Sequence, residues 1–314
     1  MKKIIGFLIL LASVSCTSNF DVESTPRQEY TYDEDGDPVI ENPDNIDTNG
    51  LGLSAGYCYG FSLPDDAEIA EIDPDIDFPT NFDLSEFLPL VGNQGKQGSC
   101  VAWATGYYLK SFHENFENLI NGQAMNQRMS PAFIYNQIKV AGCDDGSNIQ
   151  RALDTISSSG IPSLLVMPYD ENDCDTQPTQ NQKTLALPNK IKSYHYLDQD
   201  KVFEQTKAFL LNEQPVVIAI TIDRNYFGAR DENGIYIYRK FKEASGGHAM
   251  LVVGYDDDMN AFKVVNSWGE GWGNNGFVWI DYKAFQEAGQ ADSDFQILCE
   301  AWVSEDEMSQ AVPI

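Results

Sequence analysis

The chain has 314 residues and carries 48 acidic side chains against 20 basic ones, a formal charge of −28. This charge excludes a nucleic-acid binder that works by neutralising phosphates. Hydrophobic residues make up 42% and aromatic residues 12% of the chain, which is enough for a sizeable core in one or two domains and excludes disorder throughout.

The first sixteen residues have the composition of an export signal. Two lysines precede the apolar run Ile4–Ala12, which is too short to span a bilayer as a stable helix, and small residues and Cys16 follow it. A cysteine after small residues resembles the lipobox of bacterial lipoproteins. We therefore expect a lipoprotein-type signal over residues 1–16, with Cys16 lipidated. Serines stand where the lipobox usually has its leucine and its Gly or Ala, so ordinary secretion remains the alternative.

The segment after the signal is strongly acidic. Residues 17–90 contain 19 acidic residues and one basic residue, Arg27, which accounts for −18 of the total charge. Residues 17–50 have few large apolar side chains and cannot offset chain entropy, so we expect a flexible tether there. Residues 51–77, which include the apolar patch Leu51–Phe61, are expected to pack as an extension on a folded domain over residues 78–314.

Export places the remaining cysteines in an oxidising compartment, where unreactive thiols tend to pair. Cys143 and Cys174 lie in polar, loop-like segments on either side of a predicted helix, and we expect a disulfide between them. Cys58 and Cys299 remain as a second candidate pair. Cys100 is then the odd cysteine, which indicates a reactive thiol.

Cys100 lies where a glycine-rich loop passes into an apolar helix. Glycines stand at positions 92, 95 and 98, and the helical pattern begins at Cys100 itself. Unpaired N–H groups and the dipole at a helix N-terminus favour the thiolate, the nucleophilic form of cysteine. The alternative for this segment alone is a buried, inert cysteine.

The order of residues around the thiol, with Gln94 six residues before Cys100 and Gly98-Ser99 directly before it, closely resembles the papain family of cysteine peptidases. The family signature has a cysteine and an aromatic residue where this chain has Gln97 and Val101. The missing cysteine removes a family disulfide whose usual partner corresponds to Cys143. The resemblance therefore also directs Cys143 to another partner, for which Cys174 is available.

The chain has three histidines, and one of them resembles the family's catalytic base. His113 lies more than three helical turns beyond Cys100, and His195 lies in a mixed aromatic stretch. His248 begins an apolar strand that continues with Ala249 and ends in Val-Gly-Tyr, as the catalytic histidine of the family does. We expect His248 to be the base that takes and returns the proton.

A second apolar strand ends in Asn-Ser-Trp-Gly-Glu-Gly-Trp-Gly, among the most specific signatures of the family. A hairpin with its turn at residues 256–260 brings Asn266 near His248, where its amide oxygen would orient the imidazole. Trp268 would shield that contact from water. Gln94 would donate to the oxyanion of the tetrahedral intermediate.

The resemblance covers residues 78 to about 303 and implies an α+β, papain-like two-lobed fold. A helical left lobe would carry Cys100, a β-barrel-like right lobe would carry His248 and Asn266, and the active-site cleft would lie between them. One predicted helix begins after Ser130, its N-cap. A second covers Ile149–Ser159 and ends at the C-cap Gly160, and a third covers the amphipathic segment Asp200–Leu211. The predicted strands are Gln214–Thr221, Gly234–Arg239, His248–Tyr255, Ala261–Asn266 and Gly276–Tyr282.

The resemblance implies a peptide substrate that lies in this cleft. Asp145 replaces a glycine of the family's substrate-binding loop, a departure that affects substrate preference and not catalysis. The residues expected to bind substrate are Gly98, Ser99, Asp145, Gly146, Gly247, Ala249 and Trp268. The acidic turns have no complete metal-ligand pattern, so we expect no metal and no cofactor.

These patterns favour a monomeric cysteine peptidase, an endopeptidase rather than an exopeptidase, acting on protein or peptide substrates. It would be a membrane-anchored lipoprotein of a bacterial cell envelope, periplasmic or at the cell surface. The main alternative is a catalytically inactive, peptide-binding surface lipoprotein of the same fold. A transamidase or an aminopeptidase is a smaller alternative. The helical pro-segment usual in the family is not evident before residue 78.

Overall fold

A computed structural model describes residues 31–32, 38–39, 68–72, 76–231, 233–288, 290 and 295–307. The predicted signal, Cys16 and Cys58 lie outside the described residues. The helices are α1 (Cys100 to Ile120), α2 (Pro131–Ile138), α3 (Ile149–Ser159), α4 (Gln180–Ala186), α5 (Val202–Leu211) and α6 (Lys283–Gln286). The strands are β1 (Thr31–Tyr32), β2 (Pro38–Val39), β3 (Asn81–Asp83), β4 (Ile191–Tyr196), β5 (Val216–Ile222), β6 (Ile237–Tyr238), β7 (Gly246–Asp256), β8 (Ala261–Val265), β9 (Phe277–Asp281) and β10 (Leu298–Asp306).

Helix α1 is a single long helix that changes its geometry along its length. Cys100–Ala102 is α-helical, Trp103–Lys110 has π-helical geometry, and Ser111–Ile120 is α-helical again. Every residue from Cys100 to Lys110 is buried. The apolar helix predicted after Cys100 is therefore confirmed, and it forms the centre of the helical half of the molecule.

The second half of the chain is built on one sheet of eight strands. Their order is β4-β10-β5-β7-β8-β9-β6. Strand β3 pairs with the C-terminal end of β7, at residues 254–256. Strand β6 runs parallel to β9, and the other pairs are antiparallel. Helices in the first half and a sheet in the second confirm the α+β class.

Both faces of the central strands are covered, which explains why β5 and β7 are almost continuously apolar. Val217 and Ala219 pack in the core that includes the helices of the first half. Ile218 and Ile220, which point the opposite way, pack in a second core that includes residues of α5 and α6. Helix α1 packs against the face of the sheet that carries Val217 and Ala219.

Local end signals set the helix boundaries as the sequence predicts. The Ser130 hydroxyl accepts a hydrogen bond from the Phe133 N–H at 3.1 Å, and Gly160 ends α3 with φ of 69°. Helix α5 begins at Val202, two residues inside its predicted range. The strand predicted over Gly234–Arg239 is only two residues long, Ile237–Tyr238, and Tyr236 before it forms an isolated bridge to Arg230.

The N-terminal residues that the structure describes contact the folded domain. Strands β1 and β2 pair antiparallel within the predicted tether, and β2 lies beside the 3₁₀ turn Arg224–Phe227. Ile69 forms a parallel bridge to Tyr196 of β4. In the part of the chain described, no helix is both long and apolar enough to cross a membrane.

Candidate active site

Cys100 is the first residue of α1 and is completely buried where that helix meets β7. Its Sγ lies 3.4 Å from the backbone nitrogen of Ala249, the residue after His248. Among the described cysteines, Cys100 is the one outside a disulfide. The structure thus places the predicted nucleophile at a helix N-terminus and against the strand of the predicted base.

His248 and Asn266 meet across the β7–β8 hairpin. The register pairs Leu251 with Val265, so Asn266 lies diagonally across from His248. His248 Nε2 and Asn266 Oδ1 are 2.7 Å apart, and both side chains are fully buried. Because the amide oxygen can only accept, Nε2 carries the proton and Nδ1 is left as the basic nitrogen. Within the described residues, Nδ1 has no hydrogen-bond partner.

Aromatic rings surround the imidazole of His248. Trp268 stacks on it with ring centroids 4.7 Å apart, and Phe227 stacks on the Trp268 indole with centroids 5.4 Å apart. Burial lowers the pKa of His248 to about 4, and the bond to Asn266 acts in the opposite direction. The imidazole is therefore neutral near pH 7 and able to accept a proton.

Gln94 joins the loop before α1 to the turn after Asn266. Its Oε1 accepts a hydrogen bond from the Ser267 hydroxyl, and its Nε2 donates to the Gln97 carbonyl at 2.9 Å. The Gln94 N–H donates to the Ser267 carbonyl at 2.8 Å. Asn93 and Trp268 form an antiparallel bridge beside this pair. The four predicted catalytic residues therefore lie in one buried region between the helices and the sheet.

The two departures from the papain signature are accommodated in the core. Gln97, at the position of the family's missing cysteine, is 1% exposed and donates from Nε2 to the Asp170 carbonyl at 3.3 Å. Val101, in place of the aromatic residue, is fully buried in the core under α1. A hydrogen bond thus joins the loop before α1 to the segment at Asp170. Helix α1 begins at Cys100 with Val101 as its second residue.

A disulfide joins Cys143 and Cys174, the pair expected from the sequence. Cys299 is disulfide-bonded as well, and its expected partner, Cys58, lies outside the described residues. The Cys143 carbonyl accepts from the Gly98 N–H at 2.8 Å. A β-carbon on Gly98 would lie 2.8 Å from the Asp144 carbonyl oxygen, so only glycine fits this close approach.

The loop expected to bind substrate contains an internal hydrogen-bonded turn. The Asp145 carboxylate is exposed and accepts from the Gly142 N–H at 2.7 Å. The Gly146 carbonyl accepts from the Val140 N–H at 3.1 Å. Gly247, on the strand of His248, pairs with Thr221 of β5.

Two histidines lie elsewhere. His113 Nε2 lies 3.1 Å from the hydroxyl of Ser304 on β10. His195 is on β4, with its Nδ1 3.5 Å from the Glu68 carboxylate. Neither belongs to the candidate site.

Three further residues contact the site and were not among the residues predicted from the sequence. Tyr169 bonds to Gln94 and Ser99, Ser267 bonds to Gln94, and the Tyr108 hydroxyl donates to the Asn266 carbonyl at 2.8 Å. Tyr169 is 75 residues from Gln94 along the chain, and Tyr108 is 158 from Asn266. Only the Asn-Ser-Trp-Gly motif, which contains Ser267, pointed to any of them.

A thiol on the helical lobe and a histidine–asparagine pair on the sheet lobe define a two-lobed, papain-like protein. Comparison with solved structures agrees. Xylellain, a cysteine protease from Xylella fastidiosa, superimposes with a TM-score of 0.66 at 23% identity, over 82% of this chain and 97% of that one. The predicted fold is confirmed.

The sequence comparisons define the family. The model of the papain family cysteine protease matches residues 78–296, more than half of the chain, and the chain belongs to this family. Ananain from Ananas comosus is 26% identical over 221 residues, which are 68% of this chain and 57% of ananain's length. An uncharacterised peptidase C1-like protein of Acanthamoeba polyphaga mimivirus is 27% identical over 238 residues, 70% of this chain and 74% of the viral protein.

Proposed function

We propose that this protein is a cysteine peptidase in which Cys100 is the nucleophile and His248 the general base. The observation that carries this proposal is the hydrogen bond of 2.7 Å between His248 and Asn266. The residue after His248, Ala249, has its backbone nitrogen 3.4 Å from the Cys100 sulfur, so this pair lies beside the thiol. Ionisation of a thiol needs a base held beside it in one tautomer, and Asn266 holds His248 in that tautomer.

The reaction proceeds in two transfers of the acyl group. His248 takes the proton of Cys100, and the thiolate attacks the carbonyl carbon of the scissile peptide bond. The carbon–nitrogen bond then breaks, the leaving nitrogen takes the proton from His248, and a thioester remains on Cys100. Water attacks the thioester and gives its proton to His248. The carbon–sulfur bond breaks, the acid leaves, and the proton returns to the sulfur.

Gln94 supplies the charge stabilisation that both transfers need. Its Oε1 is held by Ser267, so its Nε2 is the group that donates to an oxyanion, together with the backbone N–H of Cys100. One such donor is typically worth roughly 10²–10³ in rate. In this structure Nε2 is occupied by the Gln97 carbonyl, a contact that an oxyanion would share or replace.

The substrate class is protein or peptide, and the enzyme acts as an endopeptidase. Asp145 adds an exposed carboxylate at the helical side of the binding site. The other residues proposed to line this site are Gly98, Ser99, Gly146, Gly247, Ala249 and Trp268. The papain family membership supports a peptidase over a non-catalytic peptide-binding protein, since such a protein has no need of Cys100, His248, Asn266 and Gln94 together.

Alkylation by E-64, an epoxide that reacts with activated papain-type thiolates, tests the active pair. Purified protein is incubated with E-64 and analysed by mass spectrometry, alongside Cys100→Ala, His248→Ala and the control His195→Ala. We expect one adduct on Cys100 in the wild type and in His195→Ala, strongly reduced without His248. A folded, reduced wild type that forms no adduct would contradict the proposal and favour a peptide-binding protein.

We also propose that the protein is exported and anchored to a bacterial envelope membrane through a lipid on Cys16, as a monomer with residues 17–50 as its tether. The signal-like composition of residues 1–16 supports this. Expression of the full chain in a bacterium with labelled palmitate, followed by detergent partition, tests it. Label on the wild type and none on Cys16→Ser is the expected result. An unlabelled, cleaved wild type would indicate ordinary secretion.

A further inference from the structure

The hydroxyl of Tyr169 contacts both ends of the loop that carries the candidate catalytic groups. It donates to the Gln94 carbonyl at 2.7 Å, and it lies 2.7 Å from the Ser99 hydroxyl. A phenol has one proton, so Ser99 must be the donor in the second bond. One oxygen atom therefore links the residue that would bind the oxyanion to the residue directly before Cys100.

The next two residues hold the middle of the same loop. The Asp170 carbonyl accepts from Gln97 Nε2 at 3.3 Å, and the Glu171 carboxylate accepts from the Lys96 N–H at 3.0 Å. Three consecutive residues thus contact the loop between Gln94 and Cys100. These contacts fix a turn that glycines alone would leave free to move.

The supporting segment, residues 169–174, is itself anchored to the helical lobe. The Tyr169 ring packs edge-on against Trp103 with centroids 5.0 Å apart. The disulfide of Cys174 leads to Cys143, whose carbonyl accepts from the Gly98 N–H at 2.8 Å. The segment is therefore fixed at both of its ends, and the loop is held against a rigid support.

We propose that Tyr169 is a positioning residue of the oxyanion site, acting through Gln94. This inference rests on the proposed peptidase function. An oxyanion donor works only when it lies 2.7–3.1 Å from the developing charge, and a misplacement of about 1 Å costs up to roughly 100-fold in rate. Burial raises the pKa of Tyr169 to about 12, so the hydroxyl keeps its proton at every pH at which the enzyme would act.

The test compares Tyr169→Phe with Tyr107→Phe. Tyr107 is also buried against Trp103, and its hydroxyl donates to the Leu90 carbonyl at 2.8 Å and not to Gln94. Hydrolysis of the fluorogenic peptide Z-Phe-Arg-AMC is measured with enzyme quantified by active-site titration. In Tyr169→Phe we expect kcat to fall by roughly tenfold or more with KM within about twofold. Tyr107→Phe is expected to keep the wild-type values.

The rate at which iodoacetamide alkylates Cys100 distinguishes a positioning role from a general structural defect, because a structural defect would lower this rate as well. This reaction forms no oxyanion, so its rate in Tyr169→Phe is expected to equal that of the wild type. A parallel fall in alkylation and hydrolysis would overturn the positioning role. Ser99→Ala, which removes one of the two hydrogen bonds and leaves the ring in place, is a second variant, expected to show a smaller loss of kcat.

A double-mutant cycle with Gln94→Ala shows whether Tyr169 acts through Gln94. We expect Tyr169→Phe to lower kcat/KM by less than about twofold in the Gln94→Ala background. Equal losses in both backgrounds would overturn the inference while the peptidase function stands. A wild-type protein that hydrolyses no peptide would refute the function itself, and with it this role for Tyr169.

Discussion

The hydroxyl of Ser267 donates to the side-chain oxygen of Gln94, across the boundary between the two lobes. The same serine donates its N–H to Asn266 Oδ1 at 2.7 Å. One residue therefore fixes the orientation of both amides of the candidate site. Because Ser267 donates to the oxygen of each amide, Gln94 Nε2 is the donor, here to the Gln97 carbonyl, and Asn266 Oδ1 accepts from His248 as well as from Ser267.

Ser267→Ala is expected to lower kcat by roughly tenfold, less than Gln94→Ala, because the amide stays in place but loses the bond that fixes its orientation. Hydrolysis of Z-Phe-Arg-AMC measures the effect. Ser304→Ala is the matched control, since Ser304 is also fully buried and its hydroxyl contacts His113. Equal activity in Ser267→Ala and the control would show that Ser267 does not orient Gln94.

Trp268→Ala is expected to raise the pKa of His248 from about 4 toward its ordinary value. Burial is the main cause of the low value, and the indole is part of what excludes water from the imidazole. NMR titration of the histidine ring protons, assigned with His248→Ala, measures the midpoint. Trp279→Ala, a half-buried tryptophan on β9, should leave it unchanged. If the titration midpoint of His248 does not shift in Trp268→Ala, groups other than this indole exclude water from the imidazole.

Removing the Cys143–Cys174 disulfide with a Cys143→Ser/Cys174→Ser variant is expected to lower the free energy of unfolding by about 2–4 kcal/mol, because the bridge closes a loop of 31 residues. Urea unfolding measures the difference. Cys174 is 1% exposed, so the wild-type bridge should survive the mild reductant that keeps the Cys100 thiol active. A wild type that loses stability in the same reductant would contradict that expectation.

Stability is expected to fall as the pH decreases from about 6.5 to 4. Burial lowers the pKa of His113 to about 4, so in this range the unfolded chain binds a proton that the folded protein does not. The loss attributable to His113 is on the order of 3 kcal/mol and is complete below the folded pKa. His113→Gln should give a flatter plot of Tm against pH, with a constant difference from the wild type above pH 7. An unchanged slope would refute this assignment.

The residues of the site could be predicted wherever local signals mark them. Cys100 follows a glycine-rich loop and opens a helix, and His248 begins a run that is apolar on both faces, so their places in the fold follow from short segments. Ser130 and Gly160 likewise fix helix ends through bonds to residues within four positions. The disulfide follows from cysteine number and the assumption of export.

The parts that could not be predicted depend on distant pairing. Strand β10 was missed because its partners are remote: Trp302 pairs with Tyr196 and with Val217, and its sequence contains the buried, charged Glu300. Helix α4 was missed because it is short and buries little beyond Ala186. Tyr169 has no pattern of its own, since its function depends on a contact 75 residues away.

Residues 68–70 cover the backbone of β4, one of the two edge strands of the sheet. The Tyr196 N–H donates to the Glu68 carbonyl and its carbonyl accepts from the Ala70 N–H, both at 2.8 Å, while Gln205 holds the Ala70 carbonyl at 2.7 Å. An uncovered edge of this kind is a template for pairing with another chain. A chain trimmed to begin at residue 76 would expose these backbone groups and gain a route to edge-to-edge aggregation. The acidic extension thus covers a sheet edge in addition to carrying negative charge.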